Sequence, residues 1–195
     1  MFAVLISLAL LLISRIWTPT VLPWITEDVL LFILAPLFYI AAFKRRPSEF
    51  GLKAEPWVAL RYALVMLALG APFILYGATL EEFRAYYPIW KPAEARFGNL
   101  LLLWAWLLVT MFATEFFFRG FLLFDLERHF GWAAVPLHAV PYALVHIGKP
   151  WLEVPYSFLV GLVFGYVALR TRSILPSYIA HWSAAVIFDA LTLVR

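Results

Sequence analysis

The sequence predicts an all-α, polytopic bundle of about seven or eight transmembrane helices, and three observations carry that prediction. Of its 195 residues, 65% are hydrophobic and only 14% charged, against roughly 45–50% and about 25% in ordinary soluble domains. The mean hydropathy is +0.88, more apolar surface than a soluble domain of this length can keep from water. The apolar residues also fall in runs close to the roughly 20 residues that a helical bilayer crossing needs. Disordered, fibrous and nucleic-acid-binding classes are excluded. The net charge of +3 comes from basic residues lying between apolar runs, where they form no patch. With no cysteine there is no disulfide, thiolate nucleophile or cysteine metal site. Eighteen Phe, nine Trp and nine Tyr suit a lipid-facing surface with aromatic belts.

The first run, Phe2 to Ser14, ends at Arg15. It lacks the basic start and small-residue cleavage site of a signal peptide, so it reads as a retained helix or signal anchor. The second, Val21 to Phe43, stops at Lys44, Arg45, Arg46 and Pro47, and residues 44–57 read as a polar loop. The third is Val58 to Tyr76. In residues 77–98 charges alternate with Tyr86, Tyr87 and Trp90, the pattern of an interfacial segment. The fourth run holds a helical pattern from Asn99 to His129, and Gly131 breaks it. Runs at Ala133 to Ile147, Pro155 to Leu169 and Ile174 to Leu193 complete the series. No repeat or low-complexity linker divides the chain, so one domain is expected over 1–195.

Orientation follows from Lys and Arg in the short loops. Nine fall on the side of loop 44–61, segment 119–131 and the turn at 170–172, and six on the other. This bias places the N-terminus and loop 44–57 in the cytoplasm.

Charges near the centre of an apolar helix cost at least ~2.5–3.5 kcal/mol each, so they are functional candidates by default. Glu115 and Arg119 are spaced i, i+4, on one helix face. His146 lies in the fifth run; His181 and Asp189 lie in the last. Counted from a turn near residue 130, Glu115 and His146 both sit about 22–24 Å deep, whereas His181 sits about 14 Å from its turn near 172. Equal depth brings Glu115 and His146 together, and a Glu and a His in a dry cavity can move a proton from water. The alternatives are structural: Glu115–Arg119 as an ion pair locking two helices, the histidines as helix–helix hydrogen-bonding groups, and Asp189 as a solvated residue near a helix end. His129 and His138 read as structural. Zincin, Gly-x-Ser-x-Gly and paired-aspartate motifs are absent, which leaves a glutamate/histidine site.

Across about residues 99–192 the chain resembles the CPBP family of intramembrane endopeptidases (the Abi family, with CAAX prenyl endopeptidases and bacteriocin-processing or immunity proteins). Glu115 and Arg119 match the second Glu and the Arg of its Glu-Glu-x-x-x-Arg motif. Tyr142 and His146 match Phe-x-x-x-His, and His181 with Ala185 matches the third motif. The runs Phe118–Leu122 and Gly161–Ser173 are also similar to the family. Thr114 replaces the first Glu, which in the prenyl endopeptidases is assigned to water activation, and Ala185 replaces the Asn that helps hold the oxyanion. Either Glu115 takes over as base or the activity is lost or altered. The stretch His146 to Glu153, with Asp189, resembles a bacterial subgroup with a single Glu whose members look like processors of C-terminal sorting tails, which implies a multi-pass protein of a bacterial or archaeal cell membrane.

The resemblance implies peptide-bond hydrolysis of a membrane-embedded or lipid-anchored protein, a C-terminal tail or CAAX-like substrate. Glu115 with His146 activates water, His181 stabilises the oxyanion, Arg119 orients Glu115, and Asp189 orients His181. Two histidines and a carboxylate can also bind zinc. A metal-free glutamic mechanism is expected, because Glu115 cannot easily be both ligand and base. Two other classes compete: a non-catalytic immunity or binding protein on the same scaffold, favoured by Thr114 and Ala185, and a small proton-coupled transporter, which lacks the expected repeats.

Overall fold

The computed structural model describes Ala9 and residues 28–53 and 55–194. Apart from Ala9, the first apolar run and its reading as an anchor lie outside the described residues.

The protein is an all-helical membrane bundle. Among the described residues three helical stretches are long and apolar enough to cross a membrane: Pro56–Gly77, Phe97–Leu144 and Glu153–Thr171. Helix α1 opens as a π-helix, Asp28–Leu34, and continues as α-helix over Ala35–Ala42. A 3-10 turn, Pro47–Phe50, leads to α2, Pro56–Gly77. Two short helices, α3 (Glu81–Tyr86) and α4 (Pro92–Ala95), form the segment expected at the interface. Helix α5, Phe97–Glu115, passes through a π-helical stretch, Phe116–Leu122, into α6, Leu123–Phe130. Then come α7 (Ala134–Leu144), α8 (Glu153–Thr171) and α9 (Leu175–Leu193).

The 48 residues of Phe97–Leu144 exceed one crossing. Gly131 supplies the reversal with φ +55°, a conformation that glycine adopts without Cβ strain, and α7 packs back against α6 and the π segment. The most extensive pairings are α7 with α8 and α2 with α9. Lipid gives helices no hydrophobic reason to associate, so close packing has to hold them. Gly165 of α8 shows how tight this is: a Cβ there would stand 2.2 Å from Cε1 of His138 on α7.

The core is aromatic. Phe116, Phe117, Phe118 and Phe121 are wholly buried, and Phe32 of α1 stacks on Phe117 with ring centroids 4.5 Å apart. The loop at 44–57 is not uniformly polar. Its Phe50 is wholly buried and stacks near Phe121 at 5.8 Å, while Ile174 donates its N–H to the carbonyl of Gly51 at 3.1 Å. The loop is thereby pinned to the core of the bundle.

Candidate active site

Glu115 is the last residue of α5 and Arg119 lies one turn on, inside the π segment. The π geometry is a common device at functional sites, because it re-aims side chains relative to a regular helix. Both side chains are 0% exposed, and Arg119 Nη1 donates to Glu115 Oε1 at 3.1 Å. The guanidinium also lies 3.8 Å from the ring centroid of Tyr142 on α7 and 5.1 Å from that of Phe164 on α8. Arg119 therefore ties three helices together by charge and by stacking.

His181 reaches the same carboxylate from α9. Its Nδ1 lies 2.7 Å from Glu115 Oε1, and its ring meets Tyr142 and Phe164 edge-on at 6.4 and 6.0 Å. The side chain is 20% exposed, so its other nitrogen has a route out of the core. Among the described residues, Glu115 Oε2, Arg119 Nε and Nη2 and His138 Nε2 are buried without a hydrogen-bond partner. These are the free donors and acceptors that the cluster offers.

His146 lies in the turn after α7. Its Nδ1 is 2.8 Å from the carbonyl of Tyr142. A carbonyl only accepts, so Nδ1 carries the proton and donates, and Nε2 is left as the reactive nitrogen. That Nε2 faces Glu153 Oε1 at 3.9 Å. The Tyr142 ring, 4.9 Å from that of His146 and 6.4 Å from that of His181, stands between the two histidines.

Equal depth along the sequence pairs Glu115 with His146. The direct contacts of Glu115 are instead with Arg119 and His181, and His146 turns its Nε2 to Glu153. Asp189 is buried two helical turns beyond His181, about 12 Å along α9. Its Oδ2 has no hydrogen-bond partner among the described residues, and the side-chain hydrogen bond of His181 runs to Glu115. Thr114 is half-buried and donates its hydroxyl to the carbonyl of Thr110 at 2.9 Å, a bond within its own helix. Among the described residues no group of three or more His, Asp or Glu side chains is arranged to hold a metal ion.

Glu153 and Tyr87 do not stand out as site residues in the sequence. Glu153 opens α8, where Lys149 donates to Oε1 at 2.9 Å, and the Tyr87 hydroxyl reaches both carboxylate oxygens at 2.9 and 2.8 Å. Burial first, and then the Glu153 carboxylate, push the Tyr87 phenol well above its ordinary range, so it remains a donor. Trp151 donates its N–H to Glu82 of α3 at 3.2 Å. The segment after α2 thus folds over the turn that carries His146. The Lys149–Glu153 spacing was visible in the sequence; the partnership with Tyr87, 66 residues away, was not.

A polytopic helical membrane protein with a buried carboxylate–guanidinium–imidazole cluster is the class that fold and site define. Residues 96–187 match the model of the family described as type II CAAX prenyl endopeptidase Rce1-like, in line with the resemblance that the motifs carry. The family is one of proteases, which supports a peptidase activity. No curated protein and no solved structure matches the chain.

Proposed function

We propose that the protein is an intramembrane endopeptidase with a glutamate–histidine site that hydrolyses a peptide bond of a membrane-associated protein near its C-terminus. The observation that carries this reading is the contact of His181 with Glu115, a carboxylate whose charge Arg119 compensates. Glu115 fixes the His181 ring through Nδ1 and leaves Nε2 to the reacting centre, much as a carboxylate orients a catalytic imidazole elsewhere. In the form with a proton on both nitrogens, Nε2–H donates to the oxyanion, a role worth about 2.7–4 kcal/mol in other enzymes. His146 takes the proton from the attacking water at Nε2 and returns it to the leaving amine. Glu115, with no exposed surface and two partners on one oxygen, suits the positioning role better than that of the base expected from the sequence.

Full burial of Glu115 also favours a second reading, a non-catalytic scaffold in which the cluster only locks helices. The full chain in lipid nanodiscs separates them, using two fluorescence-quenched peptides, one prenylated with a CAAX-type end and one with a short apolar C-terminal tail. Cleavage of either by the wild type, lost in Glu115→Gln and His146→Ala, supports the peptidase. Absence of cleavage of both favours the scaffold.

A further inference from the structure

The Glu153 carboxylate stands beside His146, and its side chain is 13% exposed against 10% for His146. Glu115, by contrast, has none of its surface exposed. Water can therefore reach the His146–Glu153 pair from outside the core, whereas the Glu115 carboxylate is closed off. An i, i+4 pair of Lys149 with Glu153 at a helix start is ordinary. What distinguishes this one is that a third element, through Tyr87, fixes the same carboxylate, and that its Oε1 is aimed at the unoccupied nitrogen of His146. Tyr87 has one proton to give; with it on Oε2 at 2.8 Å and Lys149 on Oε1 at 2.9 Å, Oε1 keeps one acceptor site. Two atoms 3.9 Å apart form the base of a triangle whose apex, about 2.8 Å from each, is hydrogen-bonding distance for one water.

We propose that Glu153 and His146 together hold and activate the attacking water, Glu153 supplying the carboxylate that the family motif carries at position 114 and this chain lacks. The proposal rests on the peptidase reading of the same site. The water donates one O–H to Glu153 Oε1 and the other to His146 Nε2. As the water oxygen forms its bond to the scissile carbon, the second proton passes to Nε2 and the carbonyl π electrons move onto oxygen, beside His181. The Glu153 carboxylate compensates the charge on the His146 ring. Collapse of the intermediate breaks the C–N bond, with the Nε2 proton going to the amine nitrogen. One water is consumed, and a carboxylic acid and an amine are released. Lys149, His181 and Arg119 also act on His146 electrostatically and the Tyr142 ring lies 4.9 Å from its ring, while the carboxylate that faces Nε2 is that of Glu153.

The test uses the full chain in nanodiscs, with ring-15N histidine for NMR at one fixed pH and the two quenched peptides for kinetics. Glu153→Gln keeps the size of the side chain and an acceptor for Tyr87. It is expected to move the Nε2 resonance of His146 and leave that of His181 in place, which also reports an intact fold. On the cleaved peptide it is expected to lower kcat by about 100-fold or more, the scale of general acid–base catalysis, with KM changed less than about 3-fold. Adding Thr114→Glu to Glu153→Gln returns a carboxylate to the family's position and is expected to recover part of kcat. A wild-type kcat in Glu153→Gln, or an unmoved His146 resonance, overturns the proposal. If the wild type cleaves neither peptide, the catalytic role falls with the peptidase reading, while the NMR shift still reports whether the pair exists; the two failures are thereby told apart.

Discussion

Glu115 Oε1 and His181 Nδ1 lie 2.7 Å apart although 66 residues separate them in the chain. Counting depth from the turns put His181 too shallow for this contact. The discrepancy resolves at the far end of the same helices, where Arg172 is bound to Glu127 by two hydrogen bonds of 2.6 and 2.7 Å. The turn before α9 therefore stands level with Glu127, one helical turn inside the Gly131 reversal. From Glu127 back to Glu115 is about 18 Å of helix, and from Arg172 to His181 about 14 Å. Side-chain length covers the remainder.

Removing the charge of Glu115 tests what that contact does. Glu115→Gln is expected to abolish cleavage of the quenched peptides while the protein still accumulates in membranes, read by immunoblot of the membrane fraction beside the kinetic assay. Undiminished cleavage would remove Glu115 from the mechanism.

Arg119 is the partner whose loss strands a charge. Arg119→Ala leaves Glu115 buried and uncompensated and empties the space over Tyr142. Breaking a buried pair in this way costs about 3–5 kcal/mol. The expected result is a markedly lower melting temperature in detergent together with lost activity, and a melting curve like that of the wild type would refute it.

The α7–α8 interface makes a steric prediction. Gly165→Ala puts a methyl group 2.2 Å from the His138 ring, and overpacking of this kind costs roughly 1–3 kcal/mol. Shortening His138 to Ala in the same chain is expected to restore part of the loss, which thermal unfolding of the double variant measures.

Topology is testable at Ser48, which is exposed, whereas the neighbouring Phe50 is buried and unsuitable for labelling. The charge bias places this loop in the cytoplasm. A single cysteine at position 48 is expected to resist an impermeant thiol reagent in intact cells and to react after permeabilisation; labelling of intact cells would invert the orientation.

The same loop carries a pH dependence. The backbone N–H of Arg46 above all, with Arg45 adding to it against a smaller effect of burial, holds Glu49 below its ordinary 4.5. A carboxyl with a depressed folded value adds stability that is full above 4.5 and is lost as the pH falls through that lower value. Glu49→Gln is therefore expected to be less stable than the wild type near neutral pH and equal to it in strong acid, as read from melting temperatures across the acid range.

Much of this was legible in the residues themselves. Apolar runs ending at Lys44 to Arg46, Gly131 and Arg172 mark the helices because hydropathy and glycine geometry are local properties. Glu115, Arg119, His146 and His181 declare themselves because a charged or imidazole group costs free energy anywhere in an apolar helix. Partnership is not local. Which histidine meets Glu115 depends on how far the turn at Arg172 lies from that at Gly131, an offset that the exposed pair of Arg172 and Glu127 marks. Tyr87 reads as an interfacial aromatic and Glu153 only as the end of the stretch that starts at His146, and only the folding of residues 81–95 over the His146 turn joins them. Residue type alone marks which groups are costly to bury; helix packing settles how each is compensated, because compensation requires two helices to bring opposite groups within about 3 Å.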